Sequence, residues 1–122
     1  MKSKLKLSFP YSVFLSENRR LGFSPKNGRM YAQDEYKHGK MALVMAISFA
    51  KAHQKAVFSP KERVWVDLKV YRPGNQSDAS NFVKCINDAI SQAIGVDDRY
   101  FDGSYQGFIS ENNSRFEIEI RQ

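Results

Sequence analysis

Between positions 78 and 102 this 122-residue chain carries five aspartates, Asp78, Asp88, Asp97, Asp98 and Asp102, against two bases, Lys84 and Arg99. That acidic run sits in a basic protein. Nineteen Lys and Arg against thirteen Asp and Glu give a net charge of +6 and a pI near 9.5. The two signs are separated along the chain. Residues 1–57 hold eleven bases and three acids, whereas residues 58–122 hold eight bases and ten acids. A basic half suits a polyanionic partner, and the nine Phe, six Tyr and one Trp leave stacking surfaces available. Carboxylates repel phosphates, so a nucleic-acid binder that keeps them near its ligand needs a cation between the two. On charge alone the alternative is a merely soluble basic protein.

The elements that would position these groups can be read from periodicity. Lys4 to Phe9 alternates as a half-buried strand ended by Pro10. Tyr11 to Gly22 reads as a polar loop, and Asn27-Gly28, between Phe23 and Tyr31, signals a short hairpin of type I′. Asp34 offers an N-cap for a helix to about Lys55. Its apolar residues include Met41, Leu43, Val44, Ile47 and Phe49, with Lys37, Lys40, Ser48, Lys51 and Lys55 along a polar side. Arg63 to Tyr71 is the clearest strand, with Val64, Val66, Leu68 and Val70 facing one way. A second helix is expected over Ala79 to Ile94, capped by Asp78 or Ser77 and stopped by Gly95. Asn81, Lys84, Asp88 and Ser91 recur along it at three- and four-residue spacing as a polar stripe. Tyr105 to Ser110 and Arg115 to Arg121 read as two strands around the turn Glu111-Asn112-Asn113-Ser114. The order gives an α+β domain, a single unit with two main helices packed against a mixed sheet.

Composition narrows the class. At 42% hydrophobic and 26% charged residues the chain is of globular type. Its longest apolar stretch, Met41 to Ala50, is about half a membrane span, and no secretory h-region follows the basic start. One cysteine, Cys85, excludes an internal disulfide and reads as a packing residue; His38 and His53 are expected at the surface. An intracellular protein without membrane contact is expected.

The stretch Asp78-Ala79-Ser80-Asn81-Phe82-Val83-Lys84-Cys85-Ile86-Asn87-Asp88-Ala89-Ile90 is followed, after six residues, by Asp97-Asp98. It resembles the signature of the RusA-type Holliday junction resolvases, roughly D-x-D-N-x-x-K-x-x-x-D-A-L and then a DD pair shortly after the helix. The matched block covers about Asp78 to Asp98, and the family's layout of an N-terminal strand, a polar S-x-N segment, a long helix and a terminal hairpin fits the remainder more loosely. The departure is Ser80, where the family has its second aspartate.

That resemblance implies a magnesium-dependent endonuclease that resolves four-way DNA junctions by symmetric paired nicks, working as a homodimer and needing no small-molecule cofactor. Asp78 and Asp98 are the implied metal ligands, with Ser80 a weak or water-mediated one and Asp97 the understudy. Lys84 is the implied catalytic cation beside Asp78 and Asp98, and Asn81 and Asp88 are in support. In that reading Arg19, Arg20, Lys26, Arg29, Lys37 and Lys40 of the basic half bind backbone phosphates, in a bacterial or phage-encoded cytoplasmic protein.

Plainer roles compete for each residue. Asp before a helix is most often a cap, Asp97-Asp98 reads as an acidic loop, and Lys84 with Asp88 reads as a surface i,i+4 pair. Geometry adds a constraint. A helix from Ala79 to Ile94 is about 24 Å long at roughly 1.5 Å per residue, and the four residues to Asp98 add at most about 14 Å. Asp78 and Asp98 of one chain then share a magnesium only if the helix is shorter or broken. A two-fold dimer with antiparallel second helices would place Asp78 of one subunit beside Asp98 of the other. The alternative functions are a junction binder of the same fold weakened at Ser80, and a small basic RNA-binding domain.

Overall fold

In the computed structural model of the chain, residues 3–17, 34–74 and 78–122 are described in full, and residues 21–24 and 29–32 by their backbone. Strict alternation of apolar and polar residues sets the main sheet. Leu5 of β1 (Lys4–Pro10), Val64, Val66, Leu68 and Val70 of β4 (Val64–Arg72), and Phe116, Ile118 and Ile120 of β6 (Arg115–Arg121) are buried on one face. The register lines them up: Leu5 faces Ile120, which faces Val66, and Leu7 faces Ile118, which faces Leu68. β5 (Phe101–Ile109) completes a four-stranded sheet in the order β1-β6-β4-β5, parallel to β4, while β6 is antiparallel to both its neighbours. β2 (Leu21–Ser24) and β3 (Arg29–Ala32) form a separate antiparallel pair. Their register leaves residues 25–28 between them; the type I′ turn expected there lies outside the described residues.

The two helices are α1 (Asp34–Gln54) and α2 (Ser80–Ile94), which pack against each other and against the apolar face of the sheet. The fold is thus α+β, a single small domain with a mixed sheet, as the periodicity led us to expect. α2 is held by Phe82, whose ring meets those of Tyr11 and Phe116 at centroid distances of 5.6 and 5.2 Å. Gly95 adopts a left-handed conformation (φ 74°) and its N–H closes the helix on the Ser91 carbonyl. Among the described residues no helix is long and apolar enough to cross a membrane.

Three expectations need correction. The last two strands are not a hairpin: β4 lies between β5 and β6. A strand that follows β4 through a helical crossover joins it in parallel, and residues 110–114 then carry the chain past the end of β4 to its other side. β5 also starts at Phe101, four residues before the alternation is visible, because it is exposed along nearly its whole length and has no apolar face to betray it. Finally, Met41 and Phe49 do not belong to the buried side of α1. They are 56% and 74% exposed, and Tyr36, Leu43 and Ile47 form the buried stripe instead.

Candidate carboxylate site on the second helix

The polar stripe on α2 exists because Phe82, Cys85, Ile86, Ala89 and Ile90 occupy its buried side. Lys84 and Asp88 stand on the opposite side, with Lys84 Nζ 3.9 Å from Asp88 Oδ1, an i,i+4 ion pair. A second lysine, Lys40 of α1, approaches the other Asp88 oxygen at 3.7 Å. Asp88 thus ties the two helices together electrostatically. After Gly95 the chain folds back, and Asp98, the first residue of a 3-10 turn (Asp98–Tyr100), comes to rest with its carboxyl group in hydrogen-bonding contact with that of Asp88. Desolvation, and after it the adjacent Asp88 carboxylate, push the Asp98 carboxyl above its ordinary range, with Asp97 adding to this and Lys84 opposing it. Asp98 is exposed to solvent, so this carboxyl pair stands open to a ligand.

The structure therefore brings Lys84, Asp88 and Asp98 together and leaves Asp78 apart. Asp78 lies at the far end of α2, and ten residues of helix separate it from Asp88, about 15 Å at the helical rise. It is exposed and does not cap α2. The cap position is Ala79, in a helical conformation with no side-chain hydrogen bond, so the expected Asp78 cap is corrected; Ser77 lies outside the described residues. The Asp78 carbonyl takes the Asn81 N–H at 3.0 Å, which turns the chain into the helix through the backbone alone. Ser80, the first residue of α2, is exposed beside it. Asp97 caps the 3-10 turn, its Oδ1 accepting the Arg99 N–H at 3.0 Å. Among the described residues no three His, Cys, Asp or Glu side chains of one chain converge on a common point.

Of the expected phosphate-binding residues, Lys37 is exposed on α1, and Lys40 is half-buried against Asp88. Arg19, Arg20 and Lys26, with the side chain of Arg29, fall outside the described residues. His38 and His53 are exposed, and Cys85 is buried in the core, as expected. Sequence reasoning underrated Asp88, whose pairing with Lys84 was visible but whose meeting with Asp98 depends on the reversal at Gly95. It also passed over Arg72. The Arg72 guanidinium and the Ala79 methyl group both crowd the open side of Gly107, at 2.6 and 3.2 Å from where a Cβ would stand, so this cation sits against the first turn of α2. No protein-family model matches the chain, and no curated protein is significantly similar to it in sequence.

Proposed function

We propose that the chain is a magnesium-dependent endonuclease of RusA type that cuts four-way DNA junctions by paired nicks. The observation that carries this reading is the meeting of Lys84, Asp88 and Asp98, three residues of the matched block, on one solvent-facing side of α2. Phosphodiester hydrolysis builds negative charge on the phosphoryl and leaving oxygens. Lys84, 60% exposed at its side chain, can answer that charge, while its contact with Asp88 fixes its position. Asp98 and Asp88 supply adjacent carboxylates that repel one another when both are ionised, which suits a cation between them. Magnesium takes one or two carboxylates and keeps several waters, so these residues fit it. When bound, it supplies charge neutralisation and a water of lowered pKa. Lys37 and the basic residues of the first half would bind backbone phosphates. The reading places the protein in a bacterial cytoplasm, encoded by the host or by a phage.

A second reading is a binder of the same fold that does not cut. It is favoured by the neutral Ser80 and by the want of a three-ligand group among the described residues of one chain. Incubation of a synthetic four-way junction with and without magnesium separates the two. Symmetric paired nicks that require magnesium support the nuclease. Tight, junction-selective binding without cutting supports the binder, and equal affinity for junction and linear duplex removes both.

A further inference from the structure

Both helices lie on the apolar face of the main sheet, and the opposite face is open to solvent, with Trp65, Lys69, Ser104, Gln106 and Phe108 all exposed on it. The register arranges its side chains in four cross-strand rows. The two middle rows, Lys6-Glu119-Asp67-Ser104 and Ser8-Glu117-Lys69-Gln106, are polar throughout. The two outer rows carry aromatic rings beside guanidinium groups. At one end Tyr71 stacks on Phe108 at 4.9 Å and 17°, and Arg115 lies 3.9 Å from the Tyr71 centroid. Because β4 lies between β6 and β5, Arg115 and Phe108 take opposite faces of Tyr71. The result is a pile of three flat groups that ends on Phe108, 40% exposed, with no strand beyond it among the described residues. At the other end Arg121 stands 5.8 Å over Trp65, whose Nε1 donates to Asp67 at 3.2 Å and so fixes the ring. A cleft of about 330 Å³ opens there, bordered by Arg63, Trp65, Arg121 and Gln122.

The charges on this face favour an anionic partner. Its carboxylates are matched one by one: Asp67 by Arg121 at 2.8 Å, Asp102 by Arg63 at 3.1 Å, Glu117 by Arg115 at 2.7 Å and Glu119 by Lys4 at 3.5 Å. Lys6 and the exposed Lys69 are bases in excess of these pairs, so the face as a whole is positive. Exposed ion pairs of this kind add little stability, but they hold the guanidinium planes beside the rings. Flat rings next to planar cations, on a positive surface, suit a ligand that is itself both flat and anionic.

We propose that the open face of the sheet binds single-stranded DNA, with unpaired bases stacked on Phe108 and in the cleft beside Trp65, and with the backbone between them crossing Lys69. Trp65 and Tyr71 are six residues apart on β4, about 20 Å at the rise of a strand. A four-stranded sheet with aromatic side chains on its open face can stack about two or three unpaired bases. Duplex does not fit, because its bases are already paired and stacked and present no free ring face to the sheet. The rings touch base faces and not base edges, so binding tolerates any sequence. The site lies on the side of the sheet away from α2 and its carboxylates. It rests on the nuclease reading for one point, the choice of DNA over RNA.

Trp65 is the single tryptophan of the chain, so its fluorescence reports on this face. The full-length protein is titrated without magnesium against an oligothymidylate of about ten nucleotides, within the range of single-strand site sizes. A DNA duplex and an oligouridylate of the same length serve as comparisons. The single DNA strand should quench Trp65 emission to saturation, and the duplex should not. Phe108→Ala leaves the reporter in place and should weaken binding about tenfold, the loss of one stacked base, with an unchanged circular dichroism spectrum. Lys69→Gln should lower the slope of log affinity against log salt by about 0.7, the loss of one phosphate contact to a single strand. Met45→Ala, on the exposed side of α1, should change neither. Absence of quenching, an equal response to duplex, or wild-type affinity in Phe108→Ala overturns the inference, and tighter binding of oligouridylate overturns the choice of DNA. Junction nicking in magnesium, scored on the same samples, keeps the two claims apart. Nicking by a protein whose emission ignores single strands removes the sheet site alone, and quenching in a protein that never nicks removes the nuclease alone.

Discussion

Tyr36 of α1 donates its hydroxyl hydrogen bond to Cys85 Sγ of α2, inside the seam between the helices. Burial first, and then this bond, push the Tyr36 hydroxyl well above its ordinary 10.0, and burial pushes the Cys85 thiol above its ordinary 9.0. Above those values the unfolded chain releases both protons while the folded chain keeps them, so stability should fall as pH rises from about 9 to 11. Tyr36→Phe should cost about 1 kcal/mol near neutral pH through the lost bond and should flatten that alkaline decline, as read by thermal unfolding at a series of pH values. An unchanged slope would place the alkaline sensitivity elsewhere. Ser80 belongs to the same scale. Ser80→Asp adds a negative charge at the first residue of α2, worth about 0.3–1 kcal/mol against the helix dipole. It should also lower the magnesium concentration for half-maximal cleavage, without moving the cleavage position. A requirement that stays the same or rises would show that residue 80 does not face the metal. The packing role of Cys85 was legible from its isolation in the sequence, whereas its bond to Tyr36 was not, because helix–helix register is a tertiary property.

At the scale of the element, β4 and β6 were legible because each has one buried face, which imposes a period of two on the sequence. α2 was legible from its period and from Gly95. β5 was only half legible: a strand with no buried face carries no alternation, and its glycines look like turn residues. Gly103 is there for a backbone reason. At φ 149° it adopts a conformation open to glycine, and a Cβ on it would stand 1.7 Å from the Val66 carbonyl oxygen. Gly103→Ala should therefore destabilise the fold by at least about 1–3 kcal/mol, measurable as a lower urea midpoint with an unaltered slope. A neutral result would mean that β5 shifts away from β4 at little cost. Met41 and Phe49 of α1 were misplaced for a related reason. Apolar type was taken as burial, but α1 packs chiefly on α2, β1 and the 3-10 turn at Val13–Leu15, and these cover the side that carries Tyr36, Leu43 and Ile47 while leaving Met41 and Phe49 to solvent.

For the whole molecule, the excess of Lys and Arg should make junction binding electrostatic, so affinity should fall linearly with salt on logarithmic axes. Binding that ignores salt would argue against recognition through backbone phosphates. The overall class was legible from composition and the order of elements; of the candidate site, the Lys84–Asp88 pair was legible from its spacing, whereas the approach of Asp98 to Asp88 was not. The distance between Asp78 and the Asp88–Asp98 pair was anticipated from helix length, but for a partly different reason: Asp98 folds back along α2 instead of extending beyond it. What one sequence cannot display is a contact between two copies, and the proposed nuclease would need one, because Asp78 stands apart from the Asp88–Asp98 pair within a single chain. The direct test mixes two variants, Asp78→Asn and Asp98→Asn, each expected to be inactive in magnesium while still binding the junction. Once subunit exchange is confirmed by mass, heterodimers contain one intact site, made from Asp78 of one chain and Asp98 of the other. The expected result is recovered cleavage that yields single nicks rather than matched pairs; a mixture as inactive as its parents would contradict a site shared between subunits.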